Sequence, residues 1–293
     1  MFEDGVPNST DKNQISAEVS SEVERAVAQQ TSLRTYSELG TETESYAVQF
    51  SLLKLGIPAV IRQFSAELTD AISRDLIAKE SSRDEWVICS PPSTIEHAAG
   101  LMAEQISKSL QVPLLELEKK RAFGNYSTIT TTADRESVVA FTMYILNPKR
   151  VKGKKIIIID DLVASGAVLR ESARALLDAG ACEVIIFTLL KLDSPDFSLE
   201  GKLNDMAATD KLDVLVEALN QGCVITSATL KLLLRMSNHF PDTFRSVAHR
   251  IDQKTKKNLV VAAIRYHQKT YEKTALYEAL DYTNFTNILR EGV

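Results

Sequence analysis

Two adjacent carboxylates, Asp160 and Asp161, close the most apolar run of the chain, Ile156 to Ile159. Like charges side by side are costly in a core, so they call for a place where solvent or a ligand meets them. A buried strand that ends in acids delivers them to the carboxyl edge of a sheet, where open α/β folds take their ligands. Behind the acids, Leu162 to Val168 reads as a turn entering a helix. Ser165 is the expected N-cap, and Gly166 lets backbone N–H groups approach a ligand closely. The first amides of a helix, together with the positive end of its dipole, suit an anion. Carboxylates that accept from hydroxyls, set beside an amide cup for a phosphate, are chemistry for a sugar phosphate. The candidate cup is Ala164, Ser165, Gly166, Ala167 and Val168.

Other readings of an apolar strand ending in two acids were weighed. A Walker-B strand requires an upstream GxxxxGK[ST] loop, which this sequence lacks. A phospho-acceptor receiver would carry its acidic pair on the first strand. Here several strand patterns precede the pair, and the later Asp205 and Asp210 lie in no strand pattern. A plain strand end with solvated acids and an ordinary helix cap is the bland alternative.

The elements that must position this stretch follow from periodicity. Val60, Phe64, Leu68, Ile72 and Leu76 recur at helical spacing. Trp86 to Cys89 reads as a short buried strand running into Ser90, Pro91, Pro92, Ser93 and Thr94, a run incompatible with helix interior or central strand. A helix over about 95–110, a strand at Val112 to Leu117 and another at Val138 to Leu146 are predicted. Lys119 to Ser137 reads as a loop rich in Thr and Ser. After the acidic strand, Leu169, Ala173, Leu176 and Leu177 share a helix face that ends at Gly180, and Glu183 to Leu190 is one more buried strand. Strands apolar on both faces and separated by helices predict an open, mostly parallel sheet with helices on both sides. The expected layout is a polar N-terminal arm over 1–45, partly disordered or helical, an α/β core over 46–193, and a helical C-terminal region over 194–293.

Composition sets bounds on function. A net charge of −5 gives no global pull toward nucleic acid or membrane. Cys89, Cys182 and Cys223 are widely spaced with no CxxC, which points to free thiols rather than zinc. No apolar run approaches the roughly 18 residues that cross a bilayer, and the acidic, polar start is unlike a secretory signal. A cytoplasmic protein is the expectation.

The stretch IIIIDDLVASGAVLRES, with its VKGKK lead-in, resembles the ribose-5-phosphate signature of the type I phosphoribosyltransferases, and most of all the orotate-type version. The resemblance runs over about residues 46–193. It implies that Asp160 and Asp161 hold the ribose hydroxyls of phosphoribosyl pyrophosphate, or of a nucleoside monophosphate, and that 164–168 wraps the 5′-phosphate. It further implies that Ser90, Pro91, Pro92, Ser93 and Thr94 form the pyrophosphate loop. Lys119, Lys120 and Arg121 would open a mobile hood that also contains Arg135, and Lys54 in FSLLKLG would be a ligand contact. Mg²⁺ bound mainly through the substrate diphosphate and a homo-oligomeric state also come with the resemblance. The loop 90–94 has no glycine and no basic residue, and the hood lacks the Lys-Asp-His-Gly motif of orotate-type members.

Two functions follow as expectations. One is transfer of ribose 5-phosphate to a nitrogenous base with release of pyrophosphate. The other is a non-catalytic sensor of phosphoribosyl pyrophosphate or a nucleotide, its C-terminal helices contacting a partner. The stretch 254–273 interleaves Lys and Arg with Tyr266 and Tyr271, a pattern compatible with nucleic acid; an amphipathic helix with a basic solvent face is the plainer reading. His97 is expected on a helix surface.

Overall fold

The computed structural model describes residues 9–76, 85–119, 131–140, 142–145, 147–193, 212–271 and 282–290. Its centre is a four-stranded parallel sheet of β1 (Thr31–Thr35), β2 (Trp86–Cys89), β5 (Lys155–Val163) and β6 (Glu183–Lys191), in the order β1-β6-β5-β2. A second, two-stranded antiparallel sheet pairs β3 (Glu118–Lys119) with β4 (Met143–Tyr144). Central β5 lies in register with neighbours on both sides, Ile157 beside Ile88 of β2 and beside Ile185 of β6.

The four isoleucines of β5 divide between two cores because successive side chains of a strand face opposite ways. Ile157 and Ile159 pack with α2 (Thr43–Lys54), α3 (Pro58–Asp75) and α4 (Ala98–Leu110), represented by Phe50, Phe64 and Met102. Ile156 and Ile158 pack on the other face with α1 (Ser9–Ala28) and α6 (Ala167–Asp178), through Val23, Leu169 and Leu176. A strand buried on both faces needs apolar residues at every position, and this accounts for the unbroken run. The helices predicted on both sides of the sheet are therefore present.

Three local expectations are corrected. Residues 31–35, assigned to a polar arm, form the edge strand β1, half-buried along its length and paired parallel with β6. An edge position tolerates such polarity, and Ser32 Oγ meets Thr188 Oγ1 across the pair at 2.7 Å. The stretch 138–146 is not one strand. Thr131 caps α5 (Thr132–Val139) by accepting the Asp134 N–H at 3.1 Å, and Val139 packs with Ala167 and Ala175 of α6, leaving only β4 extended. The stretch 112–117 contributes an isolated parallel bridge from Leu114 to Ile88 instead of a full strand.

The C-terminal region is helical: α7 (Leu212–Asn220), α8 (Ser227–His239), α9 (Pro241–Arg250), α10 (Gln253–Tyr271) and α11 (Tyr282–Arg290). Its buried side chains Leu215, Leu230, Phe244, Leu259 and Phe285 join the same core as α2, α3 and α4. Phe244 and Phe285 stack with centroids 5.2 Å apart. No described helix is long and apolar enough to cross a membrane.

The cysteines are unpaired, as the sequence suggests. Cys89 is fully buried in β2 and its thiol is pushed well above the ordinary range by desolvation; burial lifts Cys223 to about 11. Cys182 is exposed. Titration of the native protein with a thiol-reactive disulfide at pH 8 should consume Cys182 at once and Cys223 slowly. Cys89 should react only after denaturant is added, because the thiolate is the reacting species. Rapid labelling of Cys89 in the native state would contradict the packing of β2.

Candidate functional site

The carboxyl end of β5 places the two acids on opposite faces of the sheet, Asp160 half-buried and Asp161 buried. Asp161 continues the face of Ile157 and Ile159, toward α2. There its Oδ1 lies 2.6 Å from Lys54 Nζ, with the two side chains only 6% and 20% exposed. The Lys54 ammonium also lies 5.4 Å from the centre of the Phe50 ring. Asp160, half-buried, continues the other face, toward α6. Its Oδ1 accepts the Asp161 N–H at 2.9 Å, and across the sheet it stands in register with Thr188 and, through Thr188, with Ser32. A short polar row thus replaces the apolar ladder toward the carboxyl ends of the strands, with Thr188 at its buried centre.

Lys54, expected as a ligand contact, is in this structure the counter-charge of Asp161. Tyr46 lies about two turns before Lys54 on α2, buried and stacked with Phe50, with the Arg34 guanidinium 5.0 Å from its ring centre. Burial raises its phenol to about 12, so it stays neutral.

The turn after β5 has the shape the sequence predicts, with one shift of role. Gly166, at φ 72°, is the N-cap of α6, a left-handed conformation that disfavours side-chain-bearing residues. Ser165 stands one residue earlier, and its Oγ accepts the Ala167 N–H at 3.3 Å. Gly166 and Ala167 are buried; Ala164, Ser165 and Val168 are half-buried. The turn therefore packs its backbone inward with the amides of α6 behind it.

Arg170, Glu171 and Ser172, which close the recognised stretch, have an anchoring role that sequence reasoning did not assign: they fasten this turn to α5 and β4. Arg170 Nη2 donates to the Ser165 carbonyl at 2.8 Å and to Glu136 of α5 at 2.5 Å. Buried Glu171 accepts the Met143 N–H at 3.2 Å and holds Arg174 by two bonds of 2.8 Å. Ser172 Oγ donates to the Val168 carbonyl at 2.9 Å and touches Met143 Sδ at 3.2 Å. The Arg-Glu-Ser helix start is in this way an anchor for α5 and β4. The available signal was three polar residues on a helix whose neighbours are core.

The segment 90–94 leaves β2 as expected and leads to α4. Pro91 and Pro92 are buried, Ser93 is exposed, and Ser90 and Thr94 are half-buried. His97 occupies the N-cap of α4 without a side-chain cap bond. A Cβ placed on Gly100 would come within 2.9 Å of the His97 ring and 3.6 Å of Ser90 Oγ. His97 therefore packs on the first turn of α4, between the helix and the loop. Lys119 contributes its backbone to β3; Lys120 and Arg121 lie outside the described residues, as does the Arg135 side chain.

Among the described residues no group of three or more His, Cys, Asp and Glu is placed to hold a metal ion. In the basic stretch, Lys254, Lys257 and Arg265 are exposed, whereas Lys256 is 5% exposed and Tyr266 belongs to the core. Burial of Tyr266 removes one of the aromatics that a nucleic-acid surface would use.

The family model described as Phosphoribosyl transferase domain matches residues 60–207. The ribose-phosphate pyrophosphokinase of Caldanaerobacter subterraneus subsp. tengcongensis is 29% identical over 136 residues, covering 45% of this chain and 37% of that protein. The chain thus spans little more than a third of that relative. The uracil phosphoribosyltransferase of Arthrobacter sp. (strain FB24) is 27% identical over 177 residues, covering 57% of this chain and 80% of that one. A purine phosphoribosyltransferase crystal structure from Pyrococcus horikoshii Ot3 aligns with TM-score 0.29 and 16% identity, covering 45% of this chain and 89% of that one.

Removing one partner of a buried ion pair leaves an uncompensated charge. Lys54→Met should cost about 3 kcal/mol of unfolding free energy, measured by urea denaturation, because Asp161 is then buried alone. Lys54→Met/Asp161→Asn should recover most of that loss. Equal stabilities for the single and double variants would contradict the pairing.

Proposed function

The chain belongs to the phosphoribosyl transferase domain family, and on that premise we propose that it binds phosphoribosyl pyrophosphate and transfers its ribose 5-phosphate to a nitrogenous base or related acceptor. The observation that carries this reading is the junction of β5 and α6. An acid pair at the crevice mouth is followed within one turn by a left-handed glycine and a helix N-terminus.

In this reading the 5′-phosphate rests on the amides of 166–168, held by a turn that Gly166 and Arg170 fix, and it takes over the Ala167 N–H that Ser165 Oγ accepts in the free protein. Asp160 accepts from a ribose hydroxyl. Asp161, fixed in place by Lys54, presents its second oxygen to the other. The bond from the anomeric carbon to the pyrophosphate oxygen breaks, a bond to the acceptor nitrogen forms, and the acceptor's proton leaves to solvent. Positive charge develops on the ribose as the first bond breaks, and Asp160 is the near anionic group that opposes it. Mg²⁺, when bound, neutralises the diphosphate.

A second reading, a non-catalytic sensor of the same ligand, is favoured by two features. Two of the five residues of the loop 90–94 are prolines that lack an N–H to offer a diphosphate. The Lys54 ammonium also neutralises one of the two acids. Isothermal titration with phosphoribosyl pyrophosphate and Mg²⁺, paired with a pyrophosphate-release screen across purine and pyrimidine bases, separates the two. Binding should weaken about 10- to 100-fold in Asp160→Asn, as for a lost hydrogen bond to a charged group. Release with any base establishes transfer, and binding without release for all of them establishes the sensor. Absence of binding, or binding indifferent to Asp160→Asn, would sink both.

A further inference from the structure

Among the described residues, the start of α8 links the helical C-terminal region to the candidate site. Lys54 is the last residue of α2, and the carbonyls that end a helix need partners from outside it. Two of them are satisfied from α8. Thr226 Oγ1 donates to the Lys54 carbonyl at 2.7 Å, and Thr229 Oγ1 donates to the Leu55 carbonyl at 2.8 Å. Both threonines are fully buried. The Thr226 hydroxyl also accepts the Thr229 N–H at 3.1 Å, so one group caps the end of α2 and the start of α8 together. The chain then reverses at Gly56, with φ 80°. A Cβ there would lie 2.7 Å from Thr226 Cγ2 and 2.9 Å from the Val224 carbonyl, so only glycine permits this approach.

The neighbouring residue reaches the other side of the crevice. Ser227 N–H donates to the Glu96 carbonyl at 2.8 Å. Glu96 follows the loop 90–94 and precedes the N-cap of α4. Two adjacent residues of the C-terminal region thus hold the backbone of the Lys54 segment and the end of the candidate diphosphate loop.

We infer that Thr226 and Ser227 are positioning residues through which the C-terminal helices set the Lys54–Asp161 pair and the 90–97 segment. The consequence for ligand binding rests on the ribose-phosphate reading; the mechanical claim does not. Rotation of the end of α2 moves Lys54 Nζ away from Asp161 Oδ1, because the side chain leaves from the residue whose carbonyl Thr226 holds. Site occupancy and docking of the C-terminal helices are then coupled, and the coupling is reciprocal.

The test uses the full-length protein and begins without ligand. The rate of Lys54 acetylation by an amine-reactive reagent is followed by mass spectrometry. Thr226→Val keeps the shape and removes the hydroxyl; it should speed labelling of Lys54 by roughly fivefold, what one lost hydrogen bond is worth in an opening equilibrium. Thr226→Ser keeps the hydroxyl and should label like the wild type. Ser227→Pro is a second, milder variant. Proline is tolerated at the first helical position, and Thr226 already has the extended backbone that precedes proline. It should raise amide hydrogen exchange over 93–98 several-fold while leaving 47–54 unchanged. Lys54 labelling in Thr226→Val at the wild-type rate overturns the Lys54 half of the inference, and unchanged exchange in Ser227→Pro overturns the loop half. For phosphoribosyl pyrophosphate affinity, Thr226→Val and Lys54→Met should be non-additive; additive losses would mean that Thr226 does not act through Lys54. A wild type that binds no phosphoribosyl pyrophosphate would refute the proposed function alone, since labelling and exchange are read without ligand.

Discussion

A carboxylate at the end of a strand buried on both faces is the constraint on which the rest of this structure depends. Asp161 is 4% exposed, and a charge so placed requires a partner of opposite sign and good geometry. Lys54 supplies it, which fixes where α2 must end. The end of α2 needs donor partners for its last carbonyls, and these come from the hydroxyls of Thr226 and Thr229 at the start of α8. One requirement at the crevice mouth therefore reaches through α2 into a region that carries no site residue of its own. It also explains why the buried side chains of the C-terminal helices are continuous with the core beneath α2, α3 and α4: a loosely tethered bundle would not hold the end of α2 in place.

The opposite face of β5 obeys a different constraint. Here the acid is Asp160, and the elements nearby are the turn at Gly166 and the N-terminal half of α6. Positive φ at Gly166 turns the backbone so that α6 begins directly behind the strand end. Arg170 then bonds back to the Ser165 carbonyl and outward to Glu136, while Glu171 and Ser172 engage Met143. Turn and hood share one anchoring helix, so a displacement of α5 is felt at the Ser165 carbonyl through a single guanidinium.

The sheet, its two-sided helical cover and the acid–glycine junction were legible because they rest on short-range regularities: unbroken apolar runs, helical spacing, and a glycine where φ must be positive. What was not legible depends on partners distant in sequence. Thr31 to Thr35 looks like a polar arm until β6 lies beside it, and Ser32 finds its partner in Thr188 only across the sheet. Val138 and Val139 carry the composition of a strand, but the Thr131 cap and the surface of α6 make them helix. The local sequence around Lys54 suggests only a ligand contact, because its partner Asp161 lies more than a hundred residues away. Thr226 carried only half its role in its local sequence. A lone threonine before an apolar helix announces a cap, yet nothing in the sequence says that its donor hydrogen serves another helix.

The two acids of β5 are chemically unequal, and this bears on what the site does with a ribose. If both were anionic and unopposed, positive charge developing on the sugar would be stabilised from two sides. With Lys54 Nζ 2.6 Å from Asp161, the nearby ammonium offsets much of one carboxylate's field, and the differential stabilisation falls chiefly to Asp160. Ground-state binding is affected less, because a carboxylate oxygen paired with lysine still accepts from a hydroxyl. The same pair that makes the buried acid tolerable therefore weighs more on the rate of bond breaking than on affinity. Under the proposed function, binding and turnover are therefore separable, and the separation lies in the position of one lysine ammonium.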